Sequence, residues 1–314
     1  MFQFHLLFLN MMFFDNVKNT INQPLGEING YSIFIKREDL LHPVVSGNKF
    51  RKLKYIFKEI IINKIPVVIT FGGAFSNHLA ATAALGNELG VKTIGIVRGQ
   101  EWRNKINESN TLSYCYSKKM DLICVSREAY KKKETSDEIQ KYLKTISNYR
   151  LIPEGGTESI SVKGCAEILR PIDSKFDVIC SSLGTGGTLA GLITASYKKQ
   201  FILGFNSLNS SSALNLVNHF TKKKNWEIIN DFTFGGYGKI KPELINFMNN
   251  FYKQYKIPLD PVYTGKMLFA IFELIKKNKW RWGKKILVIH TGGLQGISGM
   301  NNYLERKKLP ILTY

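Results

Sequence analysis

Acidic residues are scarce in this chain, cysteines scarcer still, and internal repeats, low-complexity stretches and membrane-length apolar runs are missing. Asp and Glu number 24 against 44 Lys and Arg, leaving a formal net charge of +20 over 314 residues. A charge of that size raises nucleic acid and anionic membranes as partners. The lysines, however, fall in short separate runs, Lys118–Lys119, Lys131–Lys133, Lys222–Lys224 and Lys276–Lys277. No run carries interleaved aromatics or a nucleic-acid motif, so the excess reads as a solvated surface. The expected partners therefore include no nucleic acid and no membrane. The four cysteines, Cys115, Cys124, Cys165 and Cys180, lack a CxxC pair and any Cys/His cluster at zinc spacing. They read as reduced core thiols of a cytoplasmic protein, with no metal site. Residues 1–14 are apolar but lack a basic n-region and a small-residue cleavage site, and are too short to cross a bilayer. Met11 or Met12 is the candidate true start.

Short β-branched runs alternate with helical stretches along the chain. Strands are expected at Val67–Phe71, Lys92–Val97, Leu122–Val125, Tyr149–Ile152, Phe176–Ser181, Phe201–Phe205 and Lys285–Ile289. Helices are expected at Ser76–Leu89, Asn107–Lys118, Thr188–Lys198, Pro242–Tyr255 and Lys266–Asn278. The strands are continuously apolar rather than alternating, which marks parallel sheets covered on both faces. The class is α/β. Ligands in such sheets bind beyond the carboxyl ends of strands, where several glycine-bearing motifs fall.

The segment from Phe176 to Leu192 is a buried strand, a glycine-rich turn and a helix start. Gly184, Gly186 and Gly187 admit a ligand close to the backbone, Thr185 and Thr188 offer hydroxyls, and the helix N-terminus offers free N–H groups to a phosphate. The loop has neither the lysine of a Walker motif nor the GxGxxG spacing, so it points to a lone phosphate group rather than a nucleotide. Lys49 follows Gly47 and Asn48 where an extended stretch meets a helix. A lone lysine is usually a solvated surface residue, and one used as an amine needs desolvation or cationic neighbours, which Arg51 and Lys52 offer. In Thr70–His78, glycines again end a strand, and Ser76 suits either a helix N-cap or a site. Adjacent residues of a helix do not face one another, so Ser76, Asn77 and His78 are not a triad, and no GxSxG elbow exists. Thr291 with Gly292–Gly293, Tyr237 in Gly235–Gly238, and Tyr263 in Asp260–Lys266 complete the set. His290 reads as a structural histidine.

Taken together, Lys36–Leu40, Ser46–Leu53, Gly72–His78, Pro153–Gly156, Gly184–Thr188, Pro261–Lys266 and His290–Gly293 resemble, in order, the D-cysteine desulfhydrase/1-aminocyclopropane-1-carboxylate deaminase family. That family has the tryptophan-synthase-β-like fold of pyridoxal-phosphate enzymes. The resemblance runs from about Lys36 to about Gly299. It implies two open, twisted, mostly parallel sheets with helices on both faces and pyridoxal 5'-phosphate in the cleft between the domains. Residues 52–160 would form the smaller domain, and 1–51 with 161–314 the larger, in a homodimer. By the same resemblance Lys49 would hold the cofactor as a Schiff base, and Lys52 with Gly184–Thr188 would hold its phosphate. Asn77 would bond its phenolic oxygen, and Thr291 would sit by its ring nitrogen. Ser76 would meet the substrate carboxylate or move a proton, and Tyr237 and Tyr263 would line the substrate side.

The resemblance implies a lyase or deaminase acting on a small amino acid. In its deaminase branch a glutamate follows the tyrosine; here the residue is Thr264, near the same ring. The chain therefore leans to D-cysteine desulfhydrase-type β-elimination, with the deaminase as alternative. Leu79 replaces a polar or basic residue frequent after the histidine, bearing on the polarity of the substrate pocket. The rival of another class is a non-catalytic metabolite- or nucleic-acid-binding protein that has kept the fold.

Overall fold

A computed structural model describes residues 13–14, 20–208 and 212–314. The candidate starts Met11 and Met12 lie outside the described residues. In chain order the strands are β1 (Asn22–Ile28), β2 (Tyr31–Lys36), β3 (Val67–Gly72), β4 (Lys92–Arg98), β5 (Asp121–Val125), β6 (Arg150–Ile152), β7 (Val178–Leu183), β8 (Phe201–Asn206), β9 (Trp226–Ile229) and β10 (Lys285–Ile289). Helices among the described residues include α1 (Gly47–Ile62), α2 (Asn77–Leu89), α3 (Asn110–Ser117), α4 (Gly187–Ala195), α5 (Pro242–Tyr255) and α6 (Thr264–Lys276). The chain divides into two compact units, one built on Leu53–Thr157 and the other on Lys18–Lys52 with Glu158–Tyr314.

The smaller unit has a four-stranded parallel sheet in the order β5-β4-β3-β6. Its central strands bury both faces. One face packs Ile69, Phe71, Ile94 and Ile96 with Tyr130 and Ile139. The other packs Val97 with Leu79, Ala83, Leu112 and Cys115. Double burial is why these strands read as unbroken apolar runs.

The larger unit has a six-stranded sheet in the order β1-β2-β10-β7-β8-β9, parallel except for β1, which runs antiparallel to β2. On one face Ile33, Ile35, Val178, Leu203 and Val288 pack against α5 and α6. On the other, Ile179, Ile202, Leu287 and Ile289 pack with Leu189 and Leu192 of α4. Both units are thus α/β with mostly parallel sheets, as the apolar runs require.

Some elements differ from the expectation. β1, β2 and β9 are not among the expected strands: β1 and β9 are partly exposed edge strands, whereas β2 lies between β1 and β10 and buries Ile33, Ile35 and Lys36. The helix expected from Asn107 begins at Asn110, because Ser109 caps it, its hydroxyl accepting from the Leu112 N–H. The helix expected to reach Lys198 stops at Ala195, where the Ser196 hydroxyl donates back to the Ile193 carbonyl. All four cysteines are free and buried. No described helix is long and apolar enough to cross a membrane.

Candidate active site

Three adjacent parallel strands of the larger unit, β2, β10 and β7, end at one edge of the sheet, with Ile289 opposite Lys36 and Val288 opposite Cys180. The chain leaving each strand carries one of the sequence motifs. After β7 come Gly184, Thr185 and Gly186, then α4. Gly186 caps that helix in the left-handed region (φ 88°), with no side chain on the first N–H groups. After β10 comes Thr291, and the start of α1 lies against it. Gly47 has φ 59°, and a Cβ there would fall 2.1 Å from the Thr291 carbonyl oxygen, so only glycine fits. The Asn48 N–H donates to that same carbonyl at 3.3 Å.

Side chains from α1 then reach the glycine-rich loop. The Lys52 amine donates to the Thr185 hydroxyl at 3.1 Å, and the Asn48 amide donates to the Thr188 hydroxyl at 3.0 Å. Burial pushes the Lys49 amine down to about 8, against the opposing influence of Cys165 and Asp260. Burial, and next the neighbouring Lys49, push Lys52 down to about 7. A buried Lys52 amine beside a helix N-terminus, with Lys49 close by, favours a bound anion, and the lowered basicity leaves about a tenth of Lys49 uncharged at pH 7, far more than for an ordinary lysine. Arg51 differs from the expectation that it would add to the field at Lys49. Its guanidinium is committed to the Glu38 carboxylate, at 2.8 and 3.1 Å.

A second group of residues stands at the start of α6. The Asp260 carboxylate accepts the backbone N–H groups of Val262, Tyr263 and Thr264 at 3.0, 2.7 and 2.7 Å, capping the helix. The cap brings Thr264 beside Thr291, hydroxyl to hydroxyl at 3.5 Å, and Ser182 lies 3.2 Å from Thr291 on its other side. All three are buried, giving a cluster of neutral hydroxyls. The Tyr263 ring lies by Gly184, where an added Cβ would come within 3.3 Å of it. Tyr237 meets Tyr263 edge to face, with centroids 6.4 Å apart.

Of the expected site residues, Lys49, Lys52, Gly184–Thr188, Thr264 and Thr291 come together in the larger unit, with Tyr263 at the glycine loop and Tyr237 against it. Ser76 and Asn77 belong to the smaller unit, at the start of α2. The Ser76 hydroxyl accepts the Leu79 N–H at 3.3 Å, so it does cap the helix. Leu79 is fully buried beneath Gly72 and Gly95. It is a core residue of that unit and has no bearing on pocket polarity, a correction to the expectation. The Lys36–Asp39 motif is structural: Lys36 pairs with buried Asp173 at 2.9 Å, Arg37 with Asp39, and Glu38 with Arg51. His290 is satisfied as expected, its Nε2 donating to the Pro258 carbonyl at 2.8 Å while Nδ1 accepts the Gly292 N–H at 3.2 Å.

Sequence reasoning missed Asn48, Ser182, Asp260, Lys266 and Cys165. The first four stand inside or beside quoted motifs, and their signal was the spacing itself. Cys165 Sγ lies 4.0 Å from the Thr188 hydroxyl, and nothing in its apolar surroundings marks it.

The donor set of the larger unit fits pyridoxal phosphate. It offers an amine of lowered basicity, a second buried amine with hydroxyls and a helix N-terminus for a phosphate, and neutral hydroxyls for a ring nitrogen. The family described as "Pyridoxal-phosphate dependent enzyme" matches residues 18–292. A putative 1-aminocyclopropane-1-carboxylate deaminase of Pyrococcus horikoshii is 32% identical over 288 residues, covering 85% of this chain and 86% of the relative. A D-cysteine desulfhydrase of Klebsiella pneumoniae is 26% identical, covering 89% and 92%. A crystal structure of an ACC deaminase homologue superimposes with a TM-score of 0.78 at 27% identity, over 96% of this chain and 98% of the other. The chain belongs to the pyridoxal-phosphate-dependent enzymes, and among them to the group of the D-cysteine desulfhydrases and 1-aminocyclopropane-1-carboxylate deaminases.

Proposed function

We propose that the protein is a D-cysteine desulfhydrase-type lyase, converting D-cysteine and water to pyruvate, sulfide and ammonia. The observation that carries this reading is the hydroxyl cluster of Thr264, Thr291 and Ser182, in which position 264 holds a neutral side chain. A carboxylate there would hold a proton on the cofactor's ring nitrogen; a hydroxyl leaves the nitrogen neutral. β-Elimination from a substrate with an α-proton makes the smaller demand on the ring.

Lys49 would hold pyridoxal 5'-phosphate, Lys52 with Gly184–Thr188 its phosphate, Asn77 its phenolic oxygen, and Thr291 its ring nitrogen. Bound there, the cofactor supplies the electron sink for cleavage at the substrate's α- and β-carbons. The Lys49 Nζ takes the α-proton, and an amine whose basicity burial has lowered to about 8 both accepts and returns a proton near neutrality. Ser76 binds the substrate carboxylate or moves a proton, and Tyr237 and Tyr263 orient the substrate. The substrate is a small amino acid, and we infer a cytoplasmic homodimer from the family resemblance and the reduced thiols.

Deaminase activity, giving 2-oxobutyrate and ammonia, is the second reading. It is favoured by the Pyrococcus horikoshii relative, itself named a putative deaminase. A paired assay with both substrates tests the two. Pyruvate with sulfide, reduced at least about a hundredfold in Lys49→Ala, is the expected result. 2-Oxobutyrate alone replaces this reading with the deaminase. A colourless protein that takes up no cofactor and turns over neither substrate would favour a non-catalytic binder.

A further inference from the structure

Lys266 is a buried lysine outside the cofactor cradle, with 2% of its surface exposed. It lies on the first turn of α6, two residues after Thr264 and three after Tyr263. Its amine donates to two backbone carbonyls, Thr233 at 2.8 Å and Gly236 at 2.7 Å. Both belong to a loop of unusual backbone: Phe234, Gly235, Gly236 and Gly238 all have positive φ, at 56°, 97°, 110° and 66°. For Phe234 that conformation is strained. Such a loop is held by what surrounds it, and two bonds from one amine clamp both ends of its tightest part. Tyr237, 44% exposed, follows directly and meets Tyr263 edge to face. Burial lowers the Lys266 amine to about 8, and nearby Asp260 opposes the shift. Charged or neutral, the amine keeps at least two N–H bonds, enough for both carbonyls.

We propose that Lys266 is a positioning residue for substrate recognition: it ties the Thr233–Gly238 loop to α6 and so sets Tyr237 against Tyr263. The inference rests on the reading that these two tyrosines face the substrate. Asp260 capping and Lys266 tethering then act on the same few residues, one holding Tyr263 and the other Tyr237. Neither touches the phosphate cradle, so losing the tether affects substrate use and leaves cofactor loading alone.

The test compares wild type with Lys266→Met, Tyr237→Ala and the double variant, all loaded with cofactor. Amide exchange at Gly236 and Lys239, whose N–H groups close this loop, should speed up about tenfold in Lys266→Met. The kcat/KM for the amino acid that wild type uses should fall about ten- to a hundredfold, with cofactor affinity held within about twofold. In the Tyr237→Ala background the same change should cost less than about twofold, because the ring it positions is gone. Lys266→Gln retains a donor and should restore part of the loss; it carries the same measurements if the Met variant does not fold. Unchanged exchange, or losses that simply add in the double variant, overturns the positioning role while leaving the enzyme assignment intact. Wild type inactive on both substrates instead sinks the functional reading, and this inference with it.

Discussion

Lys52 brings a cost when no anion is bound. Its amine sits at about 7 in the folded chain, against an ordinary 10.5, through burial and then the adjacent Lys49. Between those values the folded state binds fewer protons than the unfolded one, so stability rises with pH there. Below about 7 the penalty is fully present. Cofactor-free protein should therefore gain thermal stability from about pH 7 to about pH 9.5, with Lys49 contributing in the same direction. Lys52→Met should flatten that rise and weaken cofactor binding roughly ten- to a hundredfold. Parallel melting-temperature curves for the two proteins would show that Lys52 carries no such penalty. Thr264 allows a second substitution test. A carboxylate at the first position of α6 is favoured by the helix N-terminus and would lie beside Thr291. Thr264→Glu should raise the ratio of 2-oxobutyrate to pyruvate on the order of tenfold; an unchanged ratio means that position 264 does not choose the reaction.

At the scale of elements, the site depends on how α6 begins. One buried carboxylate, Asp260, accepts three consecutive N–H groups there, and the turn before it is pinned by His290 on the Pro258 carbonyl and by the Tyr314 hydroxyl on that of Leu259. Asp260→Ala should cost about 1–3 kcal/mol in urea denaturation, since it orphans those groups. A variant as stable as wild type would mean that water replaces the cap. None of this could be seen in advance: the sequence marked Asp260 as part of a motif but not as a cap, because the three N–H groups meet it only once the turn has folded. Elements with strong periodicity were legible to within a residue or two, such as Pro242–Tyr255 and Lys285–Ile289. β1 was not, because an edge strand buries too little to write a pattern, and β2 was not, because its apolar run is only Ile33–Ile35, flanked by Ser32 and a buried Lys36. The cradle was legible as glycines at strand ends and one lysine after Gly-Asn. The partners of Arg51 and the core role of Leu79 were not, since both are decided by contacts distant in sequence or made only through packing.

For the whole molecule, the charge of +20 is better explained by where the lysines go than by how many there are. In the run at 222–224, Lys223 donates to the Thr194 and Ser196 carbonyls at 2.9 and 2.7 Å, closing the end of α4. In the run at 131–133, Lys133 pairs with Glu154 at 2.8 Å and lies over the Tyr130 ring, and Lys132 pairs with Glu128. In the run at 276–277, Lys277 pairs with Glu273 at 2.8 Å. In the run at 118–119, Lys118 lies over the Tyr114 ring, so each of the four runs has members occupied within its own unit. Duplex binding needs several free cations aligned on successive phosphates, and its affinity falls steeply with salt. Weak retention of duplex DNA at low salt is expected, and its loss by about 0.15 M salt. Unpaired surplus charge also repels itself, so the melting temperature should rise as salt is added over the same range. Tight, salt-resistant DNA binding alongside a flat melting temperature would mean that the cations form one continuous surface, and the charge would then belong to a partner rather than to a solvated exterior.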